Sequence, residues 1–323
     1  MTLERVKGWA KRTLAPSVRY ATRQGGRVLM YHRFGDDDTG RRLPVDLLDK
    51  QLEHLRRHFH VVPLRDLVAR LRSGRDPEPY SVALTVDDAY ADFGALGYPV
   101  FLRHRVPVTL YVVSELASGR LWLWWDAIRY VLDHAPEGRY AVGARTVSLS
   151  DVSSRRAAWE PLADFGLSQA PDERDRYLAD LQGLFGIDLP YPPSPEFAAM
   201  SWDELAVLDP GLVEIGAHSR THPILSHCDP ERVTREIAGS KAEIEERLGR
   251  EVRSFCYPNG TWADVNDHCF QAVREAGYES AVMSCGPLIR HGADVHALPR
   301  MSTNRTWDLF LGEITGFRQL GTR

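Results

Sequence analysis

Two adjacent carboxylates, Asp87 and Asp88, follow the apolar run Val82–Val86, and two histidines four residues apart, His218 and His222, follow the run Leu212–Ala217. Asp88, His218 and His222 offer one hard oxygen and two imidazole nitrogens, a set that suits zinc or a similar divalent ion and leaves a position open for water. Asp87, next door, is then free to take a proton from that water. Taken singly, adjacent Asp residues also serve as turn residues or helix N-caps, and a spaced His pair also decorates surfaces. The combination is the stronger signal, because both pairs sit where strands end, and α/β architectures gather their sites at the C-terminal ends of strands. That chemistry is metal-assisted hydrolysis.

The elements that must position these residues alternate. RVLMYHRF (27–34) reads as a strand, a helix follows with Leu47, Leu48, Leu52 and Leu55 at helical spacing, and FHVVPL suggests a short strand. A helix over 64–71, the buried strand SVALTVDD and the strand PVTLYVV (107–113) come next. After Met200 the rhythm returns with SWDE, a capping box at Ser201–Glu204, then a strand over 212–217 and a long helix over 231–248 ended by Gly249. SFCYP, a helix over 264–276 and SAVMS complete the pattern. Strands alternating with helices imply parallel pairing, and about seven such units predict an α/β fold, a closed or nearly closed (β/α) barrel.

Residues 114–199 break the rhythm and predict a mostly helical insertion, with helices in LWLWWDAIRYVLDH, SLSDVSSRRAAWEPL and PDERDRYLADLQGLFG before the proline-rich LPYPPSPEF. It leaves from a strand end on the site's face and is placed to form a lid or substrate wall. Trp122, Trp124 and Trp125 either stack on a substrate ring or anchor the insertion to the barrel.

Composition narrows the classes. With 43% hydrophobic and 10% aromatic residues the chain has an ordinary globular core, and a net charge of −4 argues against general nucleic-acid binding. RQGGRV has glycines but no phosphate-loop pattern. The absence of a long apolar run or secretory core at the N-terminus points to a cytoplasmic protein, and Cys228, Cys256, Cys269 and Cys285, without CxxC spacing, are expected as free thiols. Residues 1–27 carry a charge of +6 against −10 for the remainder. This basic segment, set apart from a barrel over 27–323, is expected either to touch an anionic membrane surface weakly or to pack as a solvated helix outside the barrel.

LTVDDAYADF resembles the first motif of the polysaccharide deacetylase family (carbohydrate esterase family 4), usually TFDDG, and HSRTHP is similar to its second, H-[ST]-x-x-H-P. SFCYPNG (254–260) is similar to the proline-glycine motif that walls the family's groove, which implies substrate contact at Tyr257 and Pro258. The resemblance covers roughly 27–113 and 200–300 and implies a distorted (β/α) barrel. It also implies Asp88, His218 and His222 as metal ligands, Asp87 as general base, and a backbone N–H near Asn259 as oxyanion donor.

Three departures from the family stand out. No L-x-H motif follows Arg300, so the acid is expected from His32, because LMYHRF resembles relatives of permuted motif order; His291 and His296 are the alternatives. Cys256 occupies the position of the family's base-orienting arginine, and Arg300 in LPRM is expected to replace it beside Asp87. Ala89 stands where glycine is usual, tolerable if its φ stays negative. These residues imply a divalent-metal, zinc-type amidohydrolase that takes a small acyl group off an amino sugar in a glycan precursor, lipid-linked saccharide or glycosylated metabolite. The rival is a catalytically silent carbohydrate-binding protein on the same barrel.

Overall fold

The computed structural model describes residues 13–36, 41–303 and 305–317. Strand β1 (Arg27–Tyr31) leads through α1 (Val45–His58), β2 (His60–Val61) and α2 (Leu64–Arg72) to β3 (Ser81–Val86), then α3 (Tyr98–His104) and β4 (Val108–Val112). After the one-turn α4 (Ser114–Ala117) come α5 (Trp124–His134), β5 (Gly138–Val142), β6 (Arg145–Leu149), α6 (Val152–Ser168) and α7 (Pro171–Phe185). The chain returns through α8 (Trp202–Ala206), β7 (Val213–Ala217), α9 (Pro230–Leu248), β8 (Ser254–Cys256), α10 (Asp267–Glu275), β9 (Ser280–Val282), β10 (Met301–Ser302) and α11 (Trp307–Thr315).

Local chemistry explains the boundaries. The Ser201 hydroxyl accepts from the Glu204 N–H and the Glu204 side chain reaches back to the Ser201 N–H, so the capping box of α8 is formed as expected. Asp229 caps α9 and Gly249 ends it at φ 61, a left-handed turn that costs glycine nothing. All six residues of β3 are buried, as in a central parallel strand covered on both faces.

Sheet order is β10-β1-β3-β4-β7-β8-β9, all parallel, with β2 added beside β3. The seven-strand path matches the expected count. Its ends meet at a thin seam: Leu298 bridges Val282, the last residue of β9, and three residues later Met301 pairs with Leu29 of β1. The sheet therefore curls into a distorted barrel, and β1, β3, β7 and β8 deliver His32, Asp87, His218 and Tyr257 to one end of it.

The insertion has its own small core, with Ile128 and Leu132 of α5 packed against Leu162 of α6 and Leu181 and Phe185 of α7. It is not wholly helical. Ser148 and Leu149 belong to β6, and β5 and β6 form an antiparallel hairpin that the helical expectation missed. Gly143 at φ 57 makes the turn, and Val147 and Leu149 alternate inward to close the insertion core.

Of the basic segment, residues 1–12 lie outside the described residues. Residues 13–21 are helical, Val18 is buried, and the Thr22 hydroxyl donates to the Thr315 carbonyl at 2.7 Å. Arg27 is also buried, donating from Nε to the Ile314 carbonyl, so its charge serves the barrel. Among the described residues no helix is long and apolar enough to cross a membrane, and all four cysteines are free.

Candidate metal centre and catalytic cleft

Asp87 and Asp88 leave β3 in a turn that carries most of the site. The Asp87 N–H donates to the Tyr31 carbonyl, locking the turn to β1. Asp88 and Ala89 both adopt positive φ, 67 and 51, so the expectation that Ala89 stays at negative φ is corrected. An alanine there costs roughly 1–2 kcal/mol relative to a relaxed backbone. The Met200 N–H bonded to the Ala89 carbonyl and the Ala91 N–H bonded to the Ala198 carbonyl hold the turn, so the end of the insertion braces it.

Arg300 meets Asp87 in a two-pronged pair, Nη1 to Oδ1 at 2.6 Å and Nη2 to Oδ2 at 2.7 Å. The guanidinium also donates to the Met283 carbonyl, the Thr85 hydroxyl and the Cys256 sulfur, leaving it fully satisfied although only 2% exposed. Burial works against the Asp87 charge, but the Arg300 cation and its hydrogen bonds outweigh it and hold this carboxyl well below the usual carboxylate range. The arginine missing at Cys256 thus arrives from the barrel seam. His32 stands on the open side of Asp87, Nε2 3.7 Å from Oδ2, with 45% of its side chain exposed to the cleft.

Asp88, His218 and His222 converge on a second point. Their donor atoms lie within 4.8 Å of one another, with Asp88 Oδ1 3.6 Å from His218 Nε2 and 3.7 Å from His222 Nε2. Four-coordinate zinc with bonds of about 2.0–2.1 Å holds such atoms about 3.4 Å apart, so the set fits an ion with little movement. Asp88 Oδ1 is buried and has no hydrogen-bond partner among the described residues, a costly state that a cation would relieve. Burial, and next the Asp87 charge, push this carboxyl well above its usual range without one.

Both histidines are prepared as neutral ligands. His218 Nδ1–H donates to the Cys256 carbonyl at 2.7 Å, which turns the Nε2 lone pair toward Asp88, and burial lowers its pKa to about 4. Burial, with the neighbouring His218, carries His222 well below the ordinary value. Their loop is pinned by Glu236 of α9, whose carboxylate accepts from the Arg220 and Thr221 N–H groups and the Thr221 hydroxyl. Sequence reasoning missed Glu236. Its signal was a carboxylate within the apolar stripe Val233, Ile237 and Ile244.

A cleft of about 420 Å³ opens over both clusters. Tyr257 and Asn259 line it, whereas Pro258, expected as a substrate contact, is buried off the lining. The Asn259 backbone, at φ 57, has an N–H with no acceptor among the described residues. His296 instead bonds the Tyr278 carbonyl through Nε2, and neither it nor His291 lines the cleft.

The tryptophans divide. Trp125 lines the cleft with its ring 4.8 Å from that of His222. Trp124, expected beside it as a sugar contact, lies in the insertion core against Gly166 and under the Arg174 guanidinium. Consecutive helical residues point about 100° apart, so one helix cannot present both rings to the same cleft. Trp122 is buried with its N–H on the Pro190 carbonyl, an anchor. Accordingly, Trp125→Ala is expected to raise the Michaelis constant severalfold with a small change in Tm, and Trp124→Ala to lose up to about 3 kcal/mol of stability with kinetics nearly intact. Thermal melts and steady-state kinetics of both variants check this, and the reverse pattern refutes the division.

Asp126, which sequence reasoning also missed, adds a third carboxylate. It is 6% exposed, accepts from the Tyr90 hydroxyl at 2.5 Å, and burial raises its pKa to about 6 against the pull of Arg33.

The family model for polysaccharide deacetylases matches residues 196–281, which span the second motif and the groove-wall motif. Solved structures that share the fold include the deacetylase PplD of Streptococcus pyogenes in complex with acetate, with 15% identity over 91% of this chain and 97% of that one and a TM-score of 0.59. IcaB from Ammonifex degensii follows at 16% identity, 89% and 97% coverage and a TM-score of 0.58. The BpsB deacetylase domain from Bordetella bronchiseptica aligns at 15% identity, 86% and 96% coverage and a TM-score of 0.54. Over residues 196–281 the chain is similar to the polysaccharide deacetylase family. No curated protein matches its sequence. At these identities the structural likeness speaks for the fold alone, a distorted (β/α) barrel shared with deacetylases.

Proposed function

We propose that the protein is a metal-dependent amidohydrolase that removes an N-acetyl or other small N-acyl group from an amino sugar in a glycan precursor or glycosylated metabolite. One observation carries the reading: an Asp87 carboxylate held ionised by Arg300 stands beside a preformed Asp88–His218–His222 cluster at the floor of an open cleft. A divalent ion at that cluster, zinc by its ligand chemistry, would acidify a water and polarise the acyl oxygen.

The chain's own residues supply the remainder. Asp87 Oδ2, fixed by Arg300, accepts the proton of the attacking water. The Asn259 N–H donates to the acyl oxygen as negative charge gathers there. His32 Nε2, on the open side of Asp87, gives a proton to the amine nitrogen as the C–N bond breaks, so amide and water become acid and amine. Trp125 walls off the His222 side from bulk water.

Elemental analysis and acid release from methyl glycosides of N-acetylhexosamines test the reading together. The native protein is expected to hold one divalent ion per chain and release acetate, and His222→Ala to lose both. Equal metal content in the two proteins removes His222 from the site. A metal-loaded, sugar-binding protein that releases no acid is instead a silent binder.

A further inference from the structure

We propose that Asp126 selects the sugar by accepting a hydrogen bond from the hydroxyl on the ring carbon next to the one that bears the acylamino group. The proposal rests on the amidohydrolase reading of the cleft and extends it to a residue of the insertion.

Asp126 sits in the first turn of α5, buried yet lining the cleft. The Trp125 indole N–H donates to the Tyr90 oxygen at 3.3 Å, and the Tyr90 hydroxyl donates in turn to Asp126 Oδ2 at 2.5 Å. This chain has one direction, because an indole only donates and an ionised carboxylate only accepts. Both its anchors adjoin metal ligands: Tyr90 follows Asp88 by two residues, and the Trp125 ring lies against His222. The carboxylate is therefore fixed relative to the point where the acyl group must lie.

Its other oxygen, Oδ1, takes no hydrogen bond from any described residue. Unlike Asp88 Oδ1, it is not sealed off but opens to the cleft, where a donor can enter. The donor is a neutral hydroxyl rather than an ammonium group, because the arginines that line the cleft, Arg33, Arg41, Arg42, Arg129, Arg156 and Arg300, outnumber its carboxylates and disfavour a cation. On an amino sugar the hydroxyl held closest to the acylamino group, and so to the Asp88–His218–His222 cluster, is the vicinal one.

The test compares methyl N-acetyl-β-glucosaminide with its 3-deoxy analogue on native protein and on Asp126→Asn, with kcat and KM measured separately and calorimetric binding run alongside. Asn keeps the volume but turns an amide donor toward either Tyr90 or the sugar. The native protein is expected to prefer the hydroxyl-bearing sugar by about ten- to a hundredfold in kcat/KM, the range for a hydrogen bond to a charged group. In the variant the preference falls to about threefold or less while Tm and metal content hold. A merely structural Asp126 would weaken both sugars equally and leave the preference intact, which overturns the proposal. So does a native protein that shows no preference in either turnover or binding. Preferential binding that disappears in Asp126→Asn, without acid release from any N-acyl sugar, supports Asp126 and refutes the amidohydrolase reading alone.

Discussion

Asp87→Asn is expected to lower turnover by about a hundredfold or more while the protein still folds and retains its metal. The side-chain amide keeps the shape and still accepts a hydrogen bond from Arg300, but it has no basic oxygen to take the water's proton. Asp87 also converges with His218 and Cys256, but both its oxygens are taken by Arg300, so the Asp88–His218–His222 cluster loses no donor. The companion measurements are metal content and Tm, because the buried Arg300 cation loses its counter-charge and some stability must fall. Activity within a factor of a few of the native protein would transfer the role of base to another group.

Arg300→Met is expected to have the largest effect on stability of any single change at the site. Methionine fills much of the volume but leaves the Asp87 carboxylate buried without its two-pronged partner, and breaking a buried pair in this way costs about 3–5 kcal/mol. That corresponds to a Tm loss of roughly 5 °C or more. The measurement belongs in metal-free protein, since a nearby cation would offset part of the unpaired charge. Activity should collapse as well, because the base is no longer oriented and its charge is no longer held. The double variant Asp87→Asn, Arg300→Met separates the causes: it should recover much of the lost stability, the orphan charge being gone, and none of the activity. Additive losses in the double variant would show that Arg300 acts mainly through Met283, Thr85 and Cys256 rather than through Asp87.

The sequence by itself determined what local chemistry can carry. The carboxylate pair Asp87–Asp88, the histidine pair His218–His222, the capping box at Ser201 and the stop at Gly249 are each contained within a few residues, and strand–helix alternation was enough for the barrel. Period and caps fade where a segment is short and its partners are its own, so the β5–β6 hairpin hid inside an insertion read as helical. Tertiary structure alone decided the rest. Arg300 reaches Asp87 across 213 residues because the seam joins β9 to β1, a closure no local pattern encodes. The same closure leaves His32 on the open side of Asp87, 3.7 Å away. Burial and helix rotation sent Trp124 inward and Trp125 to the cleft, and bracing by Ala198 and Met200 forced Ala89 to the positive φ that its residue type disfavours. Asp126 became a cleft residue only when the insertion folded back over Tyr90, since nothing in its sequence neighbourhood says that a helix's first-turn carboxylate will be buried in the same cleft as Asp88, His218 and His222 rather than solvated.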